Sequence, residues 1–259
     1  MRRSAKNDAW DALHREMEQW RSLGRSATFW WRDDDATVHT PQLERLHSLA
    51  LSTSVPLALA AIPVKIESSL IDFVAEASTI SVLQHGYAHN SFASPGQKKI
   101  EVGGVRETRE IEAQLGLGKT ILEDAFSNQF VPVLVPPWNR IESRIYSAIG
   151  SIGLKGVSSM WARTCAYPAD SVLQINTHLD PVNWRYGGDF LGEYRAIAQL
   201  TRHLIARRRQ LVDHDEPTGI LTHHLVQTER VWAFTEQLFS EINQHKSAVW
   251  LDAREMWSS

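Results

Sequence analysis

The sequence predicts an α/β protein of a single domain, an irregular or incomplete (β/α) barrel of about seven or eight strands. Short apolar or alternating runs of strand length alternate with longer stretches of helical period along the whole chain. No linker or internal repeat interrupts that alternation, as expected of one layered α/β unit. Polar residues with chemical capability collect just past the C-terminal ends of the predicted strands, and in a parallel barrel those ends converge on one face.

Residues 1–26 read as an N-terminal helix, because Ala9, Leu13, Met17 and Trp20 recur at helical spacing up to Gly24. The core spans 27–225. It opens with the strand Ala27-Thr28-Phe29-Trp30-Trp31, which runs into Arg32-Asp33-Asp34-Asp35. Thr40 and Pro41 are an N-cap and a first helical residue for the helix carrying Leu43, Leu46 and Leu49. A strand over 55–62, a helix over 66–77 and a strand over 79–84 follow, the last ending in His85-Gly86-Tyr87-Ala88-His89. Residues 92–104 are polar and glycine-containing, a surface loop over that strand end. A long helix over 105–126 leads to a strand over 130–135 that meets Pro136-Pro137-Trp138-Asn139-Arg140. A helix over 142–149, strands over 154–158 and 172–178, the segment Asp180-Pro181-Val182-Asn183-Trp184 and a helix over 190–211 come next. The strand over 219–224 ends in His223-His224, and 226–259 supply a last helix and a short strand.

The bulk numbers exclude several classes. A hydrophobic fraction of 43% and a charged fraction of 22% are those of a soluble globular chain. A net charge of −3 gives no electrostatic case for nucleic acid or an anionic membrane. The basic run Arg207-Arg208-Arg209 falls at a helix end and reads as solvated. No apolar run approaches transmembrane length, and Met1-Arg2-Arg3 is followed by no signal-peptide core, so a cytoplasmic protein is expected. Cys165 is the single cysteine; no intrachain disulfide can form, and the residue reads as a buried small hydrophobe. His178 and His214 read as surface or core residues rather than ligands. The 10 tryptophans fill core for the most part, although sugar clefts also use such faces.

Taken alone, Asp33-Asp34-Asp35 is a solvated acidic loop, and the four-residue spacing of His85 and His89 is weak evidence of anything. Together, one strand-helix-strand apart and with His223 at a later strand end, they make a metal site. Two imidazoles and a carboxylate form a common zinc set that leaves a position for water.

In order, Asp34-Asp35, His85-Gly-Tyr-Ala-His89, Pro136-Pro137-Trp138, Asn183-Trp184 and Leu221-Thr222-His223 resemble the successive motifs of the NodB-homology polysaccharide deacetylases, carbohydrate esterase family 4. The resemblance covers roughly residues 27–225. It implies a hydrolase that uses a divalent metal, most commonly zinc, and a metal-activated water to remove an N-acetyl group from an amino sugar. It implies Asp35, His85 and His89 as metal ligands, Asp34 as general base and His223 as the acid that protonates the leaving amine. Pro137, Trp138, Asn139 and Trp184 would wall the cleft, with a backbone N–H near Trp138 or Asn139 on the oxyanion and Leu221 shaping the acetyl pocket. A shifted alignment, Asp33 as base and Asp34 as ligand, is also open; Ala36 as the small residue after the pair favours the first.

Two positions depart from the family pattern. Val135 stands where an arginine holds the base, and Asn183 where an aspartate tunes the acid histidine. Losing both charges is less costly than stranding one, so the pairs look replaced. Arg32, Arg140 and Asp180 are the candidates to replace them, with Asp33 the spare acid. The expected partner is an intracellular saccharide or glycan. Hydrolysis of a non-sugar amide or ureide bond, or silent saccharide binding, are the competing expectations.

Overall fold

The computed structural model describes residues 5–258, so the Met1-Arg2-Arg3 start lies outside the described residues. Strand β1 (Ala27–Ala36) is the axis of the fold. It pairs in parallel with β2 (Leu57–Ala61) along one edge and with β10 (Thr218–Thr222) along the other. From β2 the sheet continues through β3 (Ile80–His85), β4 (Phe130–Val135), β5 (Gly156–Val157) and β6 (Leu173–Gln174); β7 (Thr177–Leu179) lies beyond β10.

β6 and β7 are two parts of one extended segment, and that segment joins the two edges. Its first part pairs with β5 and its second with β10. Between them Ile175 N donates to Val157 O (3.1 Å) and Thr177 N to Ser159 O (3.0 Å), carrying the β5 pairing on to β7. With β6–β7 counted as one stave, the ring is β1, β2, β3, β4, β5, β6–β7 and β10. The predicted strand over 172–178 is therefore real but broken at Ile175-Asn176, where it changes partner. The result is an irregular (β/α) barrel, as the strand–helix alternation predicts.

Trp30 and Trp31 show how the pleat sorts side chains. Trp30 points into the barrel with Ala58, Ala60, Leu83, Val133 and Val135, and its Nε1 donates to Asn176 O (3.1 Å). Trp31 points into the helix layer, edge-on to Phe239 with ring centroids 4.9 Å apart. That layer includes α1 (Ala5–Ser22), α2 (Pro41–Thr53), α3 (Ser68–Glu76), α4 (Thr108–Phe126), α5 (Tyr146–Ser151), α6 (Glu193–Arg208) and α7 (Glu229–Asn243). Thr40 caps α2 as its sequence predicts, accepting from Leu43 N (3.1 Å). Past β11 (Ala248–Trp250), which lies parallel to the start of β1, Met256 and Trp257 join the interior cluster and close the barrel below Trp30. Trp257 packs edge-on to Trp30 (5.5 Å). Chemistry is thereby confined to the opposite end.

Two expectations are corrected, and one segment with no predicted element is defined. Cys165 is exposed, because 159–171 has too little regular structure to turn it inward. Arg207 is not a solvated helix end: it is buried and donates to Thr28 O, Thr28 Oγ1, Thr218 Oγ1 and His214 O, fastening α6 to β1 and β10. The segment after Asp180 forms an antiparallel hairpin, β8 (Val182–Asn183) with β9 (Asp189–Phe190), beside the barrel mouth. No helix among the described residues is long and apolar enough to cross a membrane.

The closing stave is tight against Gly219. A Cβ there would meet Trp30 Nε1 at 2.5 Å, Asn176 O at 2.6 Å and Thr177 Cα at 2.7 Å. Gly219→Ala is expected to destabilise the protein by about 1–3 kcal/mol in urea unfolding, the range for overpacking a dense core. An unchanged midpoint and slope would contradict a barrel closed at this point.

Candidate metal centre at the barrel mouth

The acidic triplet at the end of β1 is divided by the pleat. Alternation sends Arg32 and Asp34 inward with Trp30, and Asp33 outward with Trp31. Asp33 is fully buried and accepts from Thr222 Oγ1 (2.6 Å), His224 N (3.0 Å) and His224 Nδ1 (2.5 Å), so it fastens β1 to the chain leaving β10. Burial lowers the His224 pKa, but the charge and hydrogen bond of Asp33 outweigh it and the net shift is upward. Asp34, also buried, is gripped by Arg32: Nε to Oδ1 at 2.8 Å and Nη2 to Oδ2 at 3.0 Å.

Simple alternation would return Asp35 to the outer face. Instead its φ is +76°, and the β1–β2 register shifts between Asp33 and Ala36. The left-handed residue turns the carboxylate over the mouth. There Asp35 Oδ1 lies 3.1 Å from His85 Nε2 and 3.3 Å from His89 Nε2. His85 ends β3 and donates its Nδ1–H to Val135 O (3.0 Å), so Nε2 faces Asp35, as an N–H donor when the ring is charged and as a lone pair when it is neutral. His89 sits in the following loop at φ +57°, its ring 4.5 Å from that of Trp138.

The three donor atoms lie within 4.8 Å of one another. Burial pushes the Asp35 carboxyl up, but the hydrogen bond and charge of His85 and the charges of His223 and His89 hold it well below the usual carboxylate range. Burial opposes charge on His85 too; Asp34 and Asp35 outweigh it and raise that ring, whereas burial and the neighbouring His85 lower His89. A carboxylate and two imidazoles with converging lone pairs fit a divalent ion, and the donor set suits zinc. The exposed group Asp213, His214 and Asp215 also clusters, but Asp213 is paired with Arg163 (2.8 Å) and the other two are open to solvent.

The remaining predicted residues fall on two walls. Leu221 is paired in register with Arg32 on the interior face, and His223 follows two residues later at the mouth. His223 Nδ1 is buried without a hydrogen bond, 3.8 Å from Asp180 Oδ2. Trp184 lies edge-on to the His223 ring (4.8 Å) and donates its Nε1–H to Asp180 Oδ2 (2.7 Å). Burial raises the Asp180 carboxyl, against the opposing pull of His223. On the other wall, Trp138 and Asn139 both have positive φ, +57° and +55°, after Pro136-Pro137. Asn139 N donates to Pro136 O (2.9 Å), and its side-chain Oδ1 accepts from Arg32 Nη2 (2.7 Å).

Arg32 thus stands against Asp34, and Asp180 stands beside His223. Arg140 does neither; it donates to Lys99 O (2.9 Å) at the rim. Sequence reasoning missed Ser158, whose carbonyl and hydroxyl both accept from Arg32 Nη1 (3.0 and 2.6 Å). Its position just past β5, at the same face as the other motifs, was the available signal. His224 does turn away from the mouth, as its alternation with His223 predicts, but onto Asp33.

Removing one partner of the Arg32–Asp34 pair strands a buried charge. Arg32→Met is expected to cost about 3–5 kcal/mol, with much of the loss recovered in Arg32→Met/Asp34→Asn. Urea unfolding of the four-member cycle measures this, and additivity to within about 0.5 kcal/mol would show that the two are uncoupled.

No protein-family model matches the sequence, and no curated protein is detectably similar to it in sequence. Solved structures are similar in fold over nearly the whole chain. A protein from Mycobacterium smegmatis provisionally assigned as a polysaccharide deacetylase superposes with a TM-score of 0.64 at 13% identity, covering 91% of this chain and 90% of that one. A family 4 acetyl xylan esterase from Clostridium thermocellum, in complex with cobalt, gives 0.55 at 11% identity over 89% and 90%. A peptidoglycan N-acetylglucosamine deacetylase gives 0.54 at 13% over 93% and 96%. A pseudoenzyme of the same esterase family gives 0.55 at 13% over 90% and 67%. The chain therefore has the fold of the polysaccharide deacetylases of carbohydrate esterase family 4.

Proposed function

We propose that this protein is a metal-dependent hydrolase that removes the N-acetyl or another N-acyl group from an amino sugar. The observation that carries the reading is the division of labour at the end of β1: Asp35 joins two histidines while Asp34, next to it, is held by Arg32. Asp35, His85 and His89 are the proposed metal ligands. When bound, the ion, for which zinc is the natural choice, supplies Lewis acidity toward the amide carbonyl and acidity to a water molecule.

The rest falls to the chain. Asp34 accepts a proton from the attacking water, and the Arg32 fork fixes its orientation. Of the two backbone donors on the proline wall, Asn139 N–H is already bonded to Pro136 O, so the Trp138 N–H is the proposed donor toward the developing oxyanion. Leu221 offers an apolar surface to the acyl methyl. His223 protonates the leaving nitrogen, and Asp180 opposes the positive charge that His223 carries when loaded. Trp184 keeps 52% of its surface exposed, leaving a face free to stack on a sugar ring. We place the reaction in the cytoplasm, which suits an exposed, unpaired Cys165.

Silent saccharide binding is the competing reading, and a pseudoenzyme does share the fold. The refilling of both charged partnerships, by Arg32 and by Asp180, favours catalysis.

Acetate release from N-acetylglucosamine oligomers, measured with zinc or cobalt supplied, tests the proposal. Chelation should abolish it and metal should restore it, while Asp34→Asn and His223→Ala should each lower kcat by about 10²–10⁴-fold. Glycan binding with no acetate release, unaffected by chelation, would establish the binding protein instead.

A further inference from the structure

The loop that carries His89 is not self-supporting. Between His85 and Asn90 two residues adopt left-handed backbone, Gly86 (φ +60°) and His89 (φ +57°), and for a non-glycine that conformation costs about 1 kcal/mol. One buried side chain holds this shape. Glu101 is 2% exposed and lies at the far end of the polar loop 92–104. Its Oε2 accepts from Tyr87 N (3.1 Å), and its Oε1 accepts from Ala88 N (2.9 Å) and Asn90 N (3.2 Å). No salt bridge to Glu101 occurs among the described residues, so three backbone amides carry the load of its charge.

Glu101 is itself anchored. Val102 is fully buried and bridges Ile141; Glu142 N donates to Val102 O (3.1 Å), and Phe92 N donates to Ile100 O (2.7 Å). Ile141 directly follows the Pro136–Arg140 turn that supplies Trp138 against the His89 ring. The absence of a side chain at position 86 is part of the device. A Cβ on Gly86 would fall on Glu101 Oε2, far inside contact distance, so only glycine there admits the carboxylate.

We infer that Glu101 is a positioning residue for the metal centre: its carboxylate fixes the 86–90 loop in the one conformation that presents His89 Nε2 to the ion. His85, held by β3 and Val135 O, does not need this support. The inference rests on the reading that Asp35, His85 and His89 bind a metal. Glutamine at 101 keeps the shape but replaces one acceptor oxygen with an N–H donor facing another N–H, which breaks the clamp.

The test is the metal affinity of the whole protein, from zinc titration and from the visible d–d spectrum of the cobalt(II) form, in wild type, Glu101→Gln and Glu101→Asp. Glu101→Gln is expected to weaken zinc binding about 10- to 100-fold and to alter the cobalt spectrum, as loss of an outer partner of a ligand does. Glu101→Asp keeps the charge and should recover part of the affinity; it also decides the matter if Glu101→Gln does not fold. A purely structural role would lower the unfolding temperature and leave affinity and spectrum unchanged, and that result overturns the inference. Wild-type protein that takes up neither ion would overturn the metal reading and this inference together.

Discussion

Three adjacent carboxylates at the end of one strand impose the constraint from which the site follows, because nothing in a barrel mouth can tolerate them as a single patch of charge. Each is neutralised in a different direction. Asp33 turns out of the barrel into the buried dyad with His224, where Thr222 adds a hydrogen bond. Asp34 turns in and takes the Arg32 fork. Asp35 is turned by its positive φ toward His85 and His89. Of the three, only the last carboxylate meets two imidazole nitrogens, and that convergence is what the proposed metal site rests on.

The same constraint accounts for the wiring around the triplet. Arg32 reaches Asp34 from the same strand, two residues away, and its remaining donors reach Ser158 past β5 and Asn139 on the proline wall. One guanidinium therefore ties β1 to two other parts of the mouth. Val135, left without a polar task for its side chain, packs in the interior cluster while its carbonyl accepts from His85. On the far side, Asp180 approaches His223 from two residues before the hairpin, and Trp184, carried just past β8, bonds to Asp180. Asp34 thus has a cation beside it and His223 a carboxylate, an arrangement that avoids an uncompensated buried charge.

The strand order, the helix layer and the face that holds the chemistry were legible because they rest on local signals: period, caps and polar residues past strand ends. Thr40, the two faces of Trp30 and Trp31, and the convergence of Asp35 with His85 and His89 follow from such signals. What was not legible depends on long-range packing. Nothing near Arg207 in the sequence says that it reaches back to Thr28, and nothing near Cys165 says that its segment stays open to solvent. Trp257 as the barrel plug, the change of partner at Ile175-Asn176 and the inward turn of Glu101 from a polar loop are likewise set by residues far away in the chain. Which of the three aspartates faces the two histidines turns on one backbone angle, and a sequence does not display φ.

The central claim is that Asp35, His85 and His89 together form a metal site. Anomalous diffraction at the zinc absorption edge, from crystals grown with zinc, tests it most directly. The account predicts a peak at about 2.0–2.2 Å from a carboxylate oxygen of Asp35 and from Nε2 of both His85 and His89. No peak there, or zinc bound only at the exposed group of Asp213, His214 and Asp215, would contradict it.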